Sequence, residues 1–105
     1  MSEPVVVIAT FVPNPGELDR VRLALDIAIE QVHQEDGCEL YAIHEAPNGN
    51  IIMIEKWESA ELLDTHGAGV AVQDLNESLS GLLAEAVDVV RLTPLPVGSD
   101  GKGAL

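Results

Sequence analysis

A chain of 105 residues is long enough for one domain with a single core and too short for two. Hydrophobic residues make up 47% and charged residues 22%, which indicates a globular domain. Phe11, Tyr41 and Trp57 are the only aromatic residues, so the core is expected to be mainly aliphatic. Five Lys and Arg residues against 18 Asp and Glu residues give a net charge of −13, which excludes nucleic acid and anionic membrane surfaces as partners and favours a neutral or apolar ligand.

The first strand and the first helix are predicted from the N-terminal third of the chain. Residues 5–11 form a β-branched run without polar alternation, which is typical of a strand covered on both faces. Two prolines and Gly16 then end the strand. From Glu17 to about Gln34 apolar residues recur at helical spacing, so this segment is predicted to be an amphipathic helix.

A hairpin is predicted in the middle of the chain. Asp36 and Gly37 end the first helix, and residues 38–45 follow as a second strand. The turn sequence at residues 46–50 leads into a third strand at residues 51–58, so the two strands should pair. Ser59 can cap a short helix that reaches about Thr65.

The last third of the chain predicts another helix, a fourth strand and a tail. Residues 70–86 carry apolar residues at helical spacing, although Gly81 weakens the helix locally, and residues 87–93 form the last strand. The sequence from Pro94 onward is expected to fray, so we predict a domain over residues 1–94 and a flexible tail over residues 95–105. The order β-α-β-β-α-β predicts an α+β, ferredoxin-like unit.

The strands are apolar on both faces, which predicts a homodimer. In the first strand Val5, Val7 and Ala9 alternate with Val6 and Ile8. Helices cover only one face of such a sheet, so the second face needs another cover. Packing two copies about a two-fold axis is the simplest solution.

The chain also predicts a cytoplasmic location. No stretch approaches the roughly 20 apolar residues of a membrane span. The N-terminal residues include Glu3 and no cluster of basic residues, so they do not resemble a secretory signal. The single cysteine, Cys38, cannot form an internal disulfide, which fits a reducing compartment.

Two motifs resemble the antibiotic biosynthesis monooxygenase family. Residues 35–41, Glu-Asp-Gly-Cys-Glu-Leu-Tyr, resemble the family's Glu-x-Gly-Cys-x-x-Tyr opening of the second strand. Residues 55–66 resemble its Glu-x-Trp strand end, its acidic cap and the His that closes the following helix. The resemblance extends over residues 5–94 and implies a ferredoxin-like unit that dimerises into an α/β barrel with a small pocket in each protomer.

The resemblance implies monooxygenation of a small aromatic or quinol-like metabolite by molecular oxygen, with no cofactor and no metal. It also leaves open an isomerase of a small hydroxy-carbonyl metabolite and a non-catalytic module that binds a small ligand. The haem-degrading branch is disfavoured, because Ala9, His66 and Asn76 occupy the places where its characteristic Asn, Trp and His would stand.

Six residues are candidates for the site. The candidate catalytic residues are His66, Trp57 and Tyr41, and the candidate substrate-binding residues are His44, Met53 and Glu55. An imidazole exchanges protons near neutral pH, so His66 is the candidate base, with a packing role at a helix end as the alternative. Trp57 is either a cavity wall or structural filling, and Tyr41 can donate a hydrogen bond to a developing phenolate.

Strand alternation separates these candidates. Met53, Glu55 and Trp57 should share one face of their strand, whereas His44 and Tyr41 have opposite parity and should lie on different faces. A buried Glu55 would need a partner, and Arg91 in the last strand is one candidate.

Overall fold

The computed structural model describes residues 3–105 and confirms the α+β, ferredoxin-like order of elements. The elements are β1 (Val5–Phe11), α1 (Leu18–Val32), β2 (Cys38–Glu45), β3 (Ile51–Trp57), α2 (Ala60–Gly67), α3 (Val70–Leu79) and β4 (Asp88–Leu92). Over residues 3–105, none of the helices combines the length and the apolar character that crossing a membrane requires.

The four strands form one antiparallel sheet in the order β2-β3-β1-β4. Cross-strand pairing places Tyr41 opposite Glu55, Glu55 opposite Val7, and Val7 opposite Arg91. Because side chains opposite one another share a face, these four residues form a row across the sheet. We call the face that carries this row the inner face and the opposite face the outer face.

The core lies between the inner face and the helices. In β3 burial alternates strictly, with Met53, Glu55 and Trp57 buried and the residues between them only partly buried, as the alternation predicted. Helix α1 contributes the apolar stripe that packs against them: Val21, Ala24, Leu25, Ala28 and Val32. The core is therefore mainly aliphatic, in agreement with the composition.

Helix α2 begins at the predicted cap. The Ser59 hydroxyl accepts a hydrogen bond from the backbone N–H of Leu62 at 3.2 Å, which satisfies one of the free donors at the helix start. The helix continues two residues past the predicted end at Thr65, so His66 lies in its last turn rather than in a loop. This helical position holds the imidazole over the inner face.

The prediction of one helix from residue 70 to residue 86 is wrong, because α3 ends at Leu79. Gly81 has a φ of 80°, a left-handed conformation that stops the helix. The chain beyond it pairs with the segment after β1: the Asn14 N–H donates to the Leu82 carbonyl at 2.8 Å and the Ala84 N–H to the Val12 carbonyl at 2.7 Å. These long-range bonds replace the helical ones.

The C-terminal segment returns to the outer face of the sheet. Residues 93–105 contain a turn at Ser99, whose carbonyl accepts hydrogen bonds from the N–H groups of Lys102 and Gly103. The Lys56 ammonium, on the outer face of β3, donates to the main-chain oxygen of Leu105. The end of the described chain therefore lies beside β3.

Candidate functional site

A cavity of about 270 Å³ lies between the inner face of the sheet and helices α2 and α3. Its walls are mostly apolar, and five side chains with polar groups also line it: Tyr41, Glu55, His66, Asn76 and Arg91. Small-molecule sites combine an apolar wall with a few convergent polar groups in this way. At this volume the cavity suits a small organic ligand.

His66 is held in the cavity wall by a carboxylate. Its side chain is 6% exposed, and its Nδ1 lies 2.8 Å from Oε1 of Glu35, in the turn between α1 and β2. A carboxylate only accepts hydrogen bonds, so Nδ1 carries the proton in this pair. In the neutral ring Nε2 is then the nitrogen with a free lone pair.

The Nε2 atom is open to the cavity. No hydrogen bond from residues 3–105 reaches it, and no fully buried side-chain nitrogen or oxygen in that range lacks a partner. Since His66 lines the cavity, its free nitrogen points to a surface that a ligand can reach. The arrangement can accept a proton from a bound molecule, with Glu35 stabilising the resulting imidazolium.

The three candidate catalytic residues form one cluster. The ring centroids of Trp57 and His66 are 4.4 Å apart with an angle of 31° between the planes, and Tyr41 meets His66 edge-on at 5.4 Å. Tyr41 and Trp57 are 6.4 Å apart, also edge-on. Trp57 is fully buried and packs against the His66 ring, whereas Tyr41 and His66 line the cavity.

Tyr41 adds a second polar group to the cavity. The residue is 4% exposed, and its hydroxyl forms no hydrogen bond with residues 3–105. Since no fully buried side-chain oxygen in that range lacks a partner, the hydroxyl keeps some accessible surface. Burial raises the pKa of Tyr41, and the nearby carboxylates Glu55 and Glu35 raise it further. The hydroxyl therefore keeps its proton and can donate a hydrogen bond to a ligand.

Glu55 is buried and bonded to Trp57. Its Oε1 accepts a hydrogen bond from the indole N–H at 2.9 Å. Burial raises the pKa of Glu55, while the Trp57 hydrogen bond and the positive charges of His66 and Arg91 oppose part of that rise. Arg91, considered above as its partner, instead pairs with Asp64 at 2.7 Å, and both of these side chains are half-exposed.

Three of the six sequence candidates do not line the cavity: Trp57, His44 and Met53. His44 lies exposed on the outer face, opposite Ile52, as its strand parity predicted, and its Nδ1 lies 3.4 Å from the carbonyl oxygen of Ile52. Trp57 and Met53 are fully buried within the core. The catalytic role of Trp57 and the substrate-binding roles of His44 and Met53 stay predictions, and Phe11, which received no role from the sequence, does line the cavity.

Glu35 is the main functional candidate to which the sequence assigned no role. It is separated from His66 by 31 residues and is joined to it only by the fold. One signal was available, because Glu35 opens the first of the two motifs and His66 closes the second. Arg91 and Asp64 at the cavity edge also come from distant segments, β4 and α2.

Comparisons with known proteins agree on one family. A family model for antibiotic biosynthesis monooxygenase matches residues 4–78. The protein named "Putative monooxygenase Rv0793" from Mycobacterium tuberculosis is 34% identical over 100 residues, covering 94% of this chain and 99% of its own. The solved structure of Rv0793 superposes with a TM-score of 0.84 at 33% identity, over 92% of this chain and 100% of that one. PA3566 from Pseudomonas aeruginosa gives a TM-score of 0.81 at 26% identity, over 90% and 97% of the two chains.

Proposed function

Because the chain belongs to the antibiotic biosynthesis monooxygenase family, we propose that it is a cytoplasmic, cofactor-independent monooxygenase that acts on a small aromatic or quinol-like metabolite. The observation that carries the proposal is the pair of His66 and Glu35, which leaves Nε2 of His66 open to a mainly apolar cavity. A positioned base in a largely dry site is what deprotonation of a weakly acidic carbon or hydroxyl requires.

The reaction begins with proton transfer to His66. The acidic C–H or O–H bond of the substrate breaks, the proton moves to Nε2, and the electron pair stays on the substrate as an electron-rich anion. Glu35 stabilises the imidazolium through Nδ1. The Tyr41 hydroxyl is placed to donate to oxygen on which negative charge develops.

The anion then supplies the electrons that reduce O2. One oxygen atom enters the substrate, and the second leaves as water: an anthrone loses the two hydrogens of its oxidised CH2 group, and a quinol that becomes a hydroxyquinone loses two hydrogens from the molecule as a whole. The overall reaction balances without a further reductant. The apolar walls, which include Phe11, Leu63 and Leu75, exclude water from the anion.

The protein acts as a homodimer in which two outer sheet faces pack together to form the α/β barrel. Support comes from the apolar side chains of that face, which the helices of the same chain do not cover: Ile8, Ile52 and Ile54 are partly buried, and Val90 and Leu92 are each 43% exposed. Light scattering should give about twice the 11.2 kDa mass of one chain. A mass near that of one chain would contradict the dimer.

An oxygen electrode tests the activity. Wild-type protein is assayed for O2 uptake with a panel of quinols and anthrones, with His66→Ala as the variant that removes the base and His33→Ala as a matched control. His33 is exposed at the end of α1 and lies outside the cavity, with its Nε2 3.0 Å from the backbone carbonyl oxygen of Tyr41. Substrate-dependent uptake that falls in His66→Ala and persists in His33→Ala supports the proposal. No uptake above background with any compound would refute it.

Assays with and without O2 separate the two alternatives. An isomerase of a hydroxy-carbonyl metabolite uses the same base but turns over under strict anaerobiosis. A non-catalytic module binds a ligand with an affinity that depends on His66, yet it shows no turnover with or without O2.

A further inference from the structure

Glu55 is a buried acid with one oxygen occupied and the other free. Its side chain lies in the inner-face row between Tyr41 and Val7, and the residue is only 6% exposed. The Trp57 N–H bonds to Oε1, and no residue between 3 and 105 donates to Oε2. Every fully buried side-chain nitrogen or oxygen in that range has a partner, so Oε2 is not fully buried. Because Glu55 lines the cavity, we take the cavity as the space that Oε2 faces.

Within the described residues 3–105, this acid has no ion-pair partner. Among residues 3–105, no Lys, Arg or His nitrogen lies within ion-pair distance of the Glu55 carboxyl group, and Arg91 is taken by Asp64. A buried carboxylate without an ionic partner is strongly unfavourable, whereas the neutral acid is tolerated. The geometry therefore favours a protonated Glu55 whose O–H is directed into the cavity.

Titratable and charged groups on three elements face Glu55. His66 on α2 and Arg91 on β4 favour the ionised form of Glu55. A charged Glu55 would in turn oppose the ionisation of Tyr41 and Cys38 on β2. Burial is the largest influence, and it raises the pKa of Glu55. This direction agrees with the absence of an ion-pair partner.

We propose that Glu55 donates a hydrogen bond from a neutral carboxylic acid to an oxygen of the substrate, at the opposite end of the conjugated system from the proton that His66 removes. The inference rests on the proposed function and names the substrate class: neutral aromatic ketones and quinols, in which a carbonyl or enol oxygen is conjugated to the acidic position. Carboxylate or phosphate substrates do not fit, because Arg91, the Lys or Arg residue that lines the cavity among residues 3–105, is already paired with Asp64.

The proton and electron pair have defined destinations in this step. The acidic bond of the substrate breaks, its proton moves to Nε2 of His66, and its electron pair delocalises to the oxygen held by Glu55. A neutral acid strengthens its hydrogen bond as that oxygen becomes negative, so it stabilises the transition state more than the bound ketone. An ionised Glu55 would repel the same oxygen.

A pair of probes that differ by one oxygen tests the inference without turnover. α-Tetralone carries a carbonyl, and tetralin is the same fused-ring molecule without it. Trp57 is the single tryptophan and contacts both Glu55 and His66, so its fluorescence reports binding. Wild-type protein should bind α-tetralone about ten-fold more tightly than tetralin at mildly acidic pH. This preference should fall as rising pH ionises Glu55.

The Glu55→Gln variant is the central comparison. Its amide oxygen can still accept from the Trp57 N–H while its NH2 group donates to the ligand, so the carbonyl preference should persist as the pH rises. Glu58→Gln makes the same substitution at an exposed position and should behave like wild type. Two results would overturn the proposal. The first is a carbonyl preference of the wild type that does not change with pH. The second is a preference that is lost in Tyr41→Phe but is identical in wild type and Glu55→Gln at every pH.

Infrared spectroscopy gives a second readout that needs no ligand. A protonated carboxyl group has its own C=O stretch, and Glu55→Gln should remove one such band that Glu58→Gln leaves in place. If neither probe binds, absence of this band difference overturns the proposal. If the band and the carbonyl preference are found but no O2 is consumed, the monooxygenase proposal fails and the role of Glu55 stands.

Discussion

The pairing of Glu35 with His66 predicts the kinetic effect of one substitution. Glu35→Gln keeps the size of the side chain but replaces an acceptor-only carboxylate with an amide that can accept from or donate to Nδ1. The ring is then no longer held with its proton on Nδ1. Part of the protein population presents Nε2–H to the cavity and cannot act as a base.

The magnitude follows from the 2.8 Å contact and its exposure. A hydrogen bond to a charged partner contributes about 1.5–3 kcal/mol and one between neutral groups about 1 kcal/mol. The Glu35 side chain is 27% exposed, so solvent weakens the ionic part, and we expect a difference of about 1.5 kcal/mol in transition-state stabilisation. This corresponds to roughly ten-fold lower kcat/KM.

The assay is O2 uptake with the most active compound of the quinol and anthrone panel. Since Glu35 does not line the cavity, kcat should fall and KM should stay unchanged. Asp36→Asn is the matched control, because it removes one acid from the neighbouring exposed position. The ¹⁵N shifts of the His66 ring should show the proton on Nδ1 in wild type and Asp36→Asn, and on both nitrogens in Glu35→Gln.

Two results would refute this reasoning. If Glu35→Gln keeps the wild-type kcat and the wild-type nitrogen shifts, the contact with His66 does not determine the state of the ring. If Asp36→Asn loses as much activity as Glu35→Gln, the effect comes from the charge of the turn and not from the hydrogen bond.

Three further predictions concern stability. Burial raises the folded-state pKa of Glu55 above its ordinary value of 4.5, so the stability that the neutral acid contributes is lost as the pH rises through the folded-state pKa. The free energy of unfolding of Glu55→Gln relative to wild type should therefore increase with pH above 4.5. The exposed Glu58→Gln should show a flat difference, and a flat difference for Glu55→Gln would contradict the prediction. Leu25→Ala deletes a fully buried side chain of α1 and should lower the free energy of unfolding, measured by urea titration, by about 2–5 kcal/mol. Leu23→Ala, at a position that is 61% exposed, should change it by less than about 0.5 kcal/mol. Equal losses in the two variants would contradict the burial of Leu25. Gly81→Ala forces a side chain into the left-handed region at the end of α3 and should reduce stability by roughly 1–2 kcal/mol, and an unchanged melting temperature would argue against that backbone conformation.

Much of the fold follows from local sequence patterns. The β-branched runs, the helical spacing in α1, the cap at Ser59 and the alternation that buries Met53, Glu55 and Trp57 were all predicted, and the structure agrees with them. These features depend on neighbouring residues, whose preferences the chain order displays directly. The end of α3 was missed because bonds from Asn14 and Val12 compete with helical ones, and such distant partners leave no local pattern.

The candidate site divides along the same line. The two motifs pointed to Tyr41, Trp57 and His66, and side-chain alternation in the strands correctly placed His44 on the other face. The contact between Glu35 and Nδ1 of His66 could not be predicted from the sequence, because it forms only when α2 packs against the turn that follows α1. The protonation of a ring, the burial of an acid and the free atoms of a cavity arise from contacts among distant segments, so only the tertiary structure decides them.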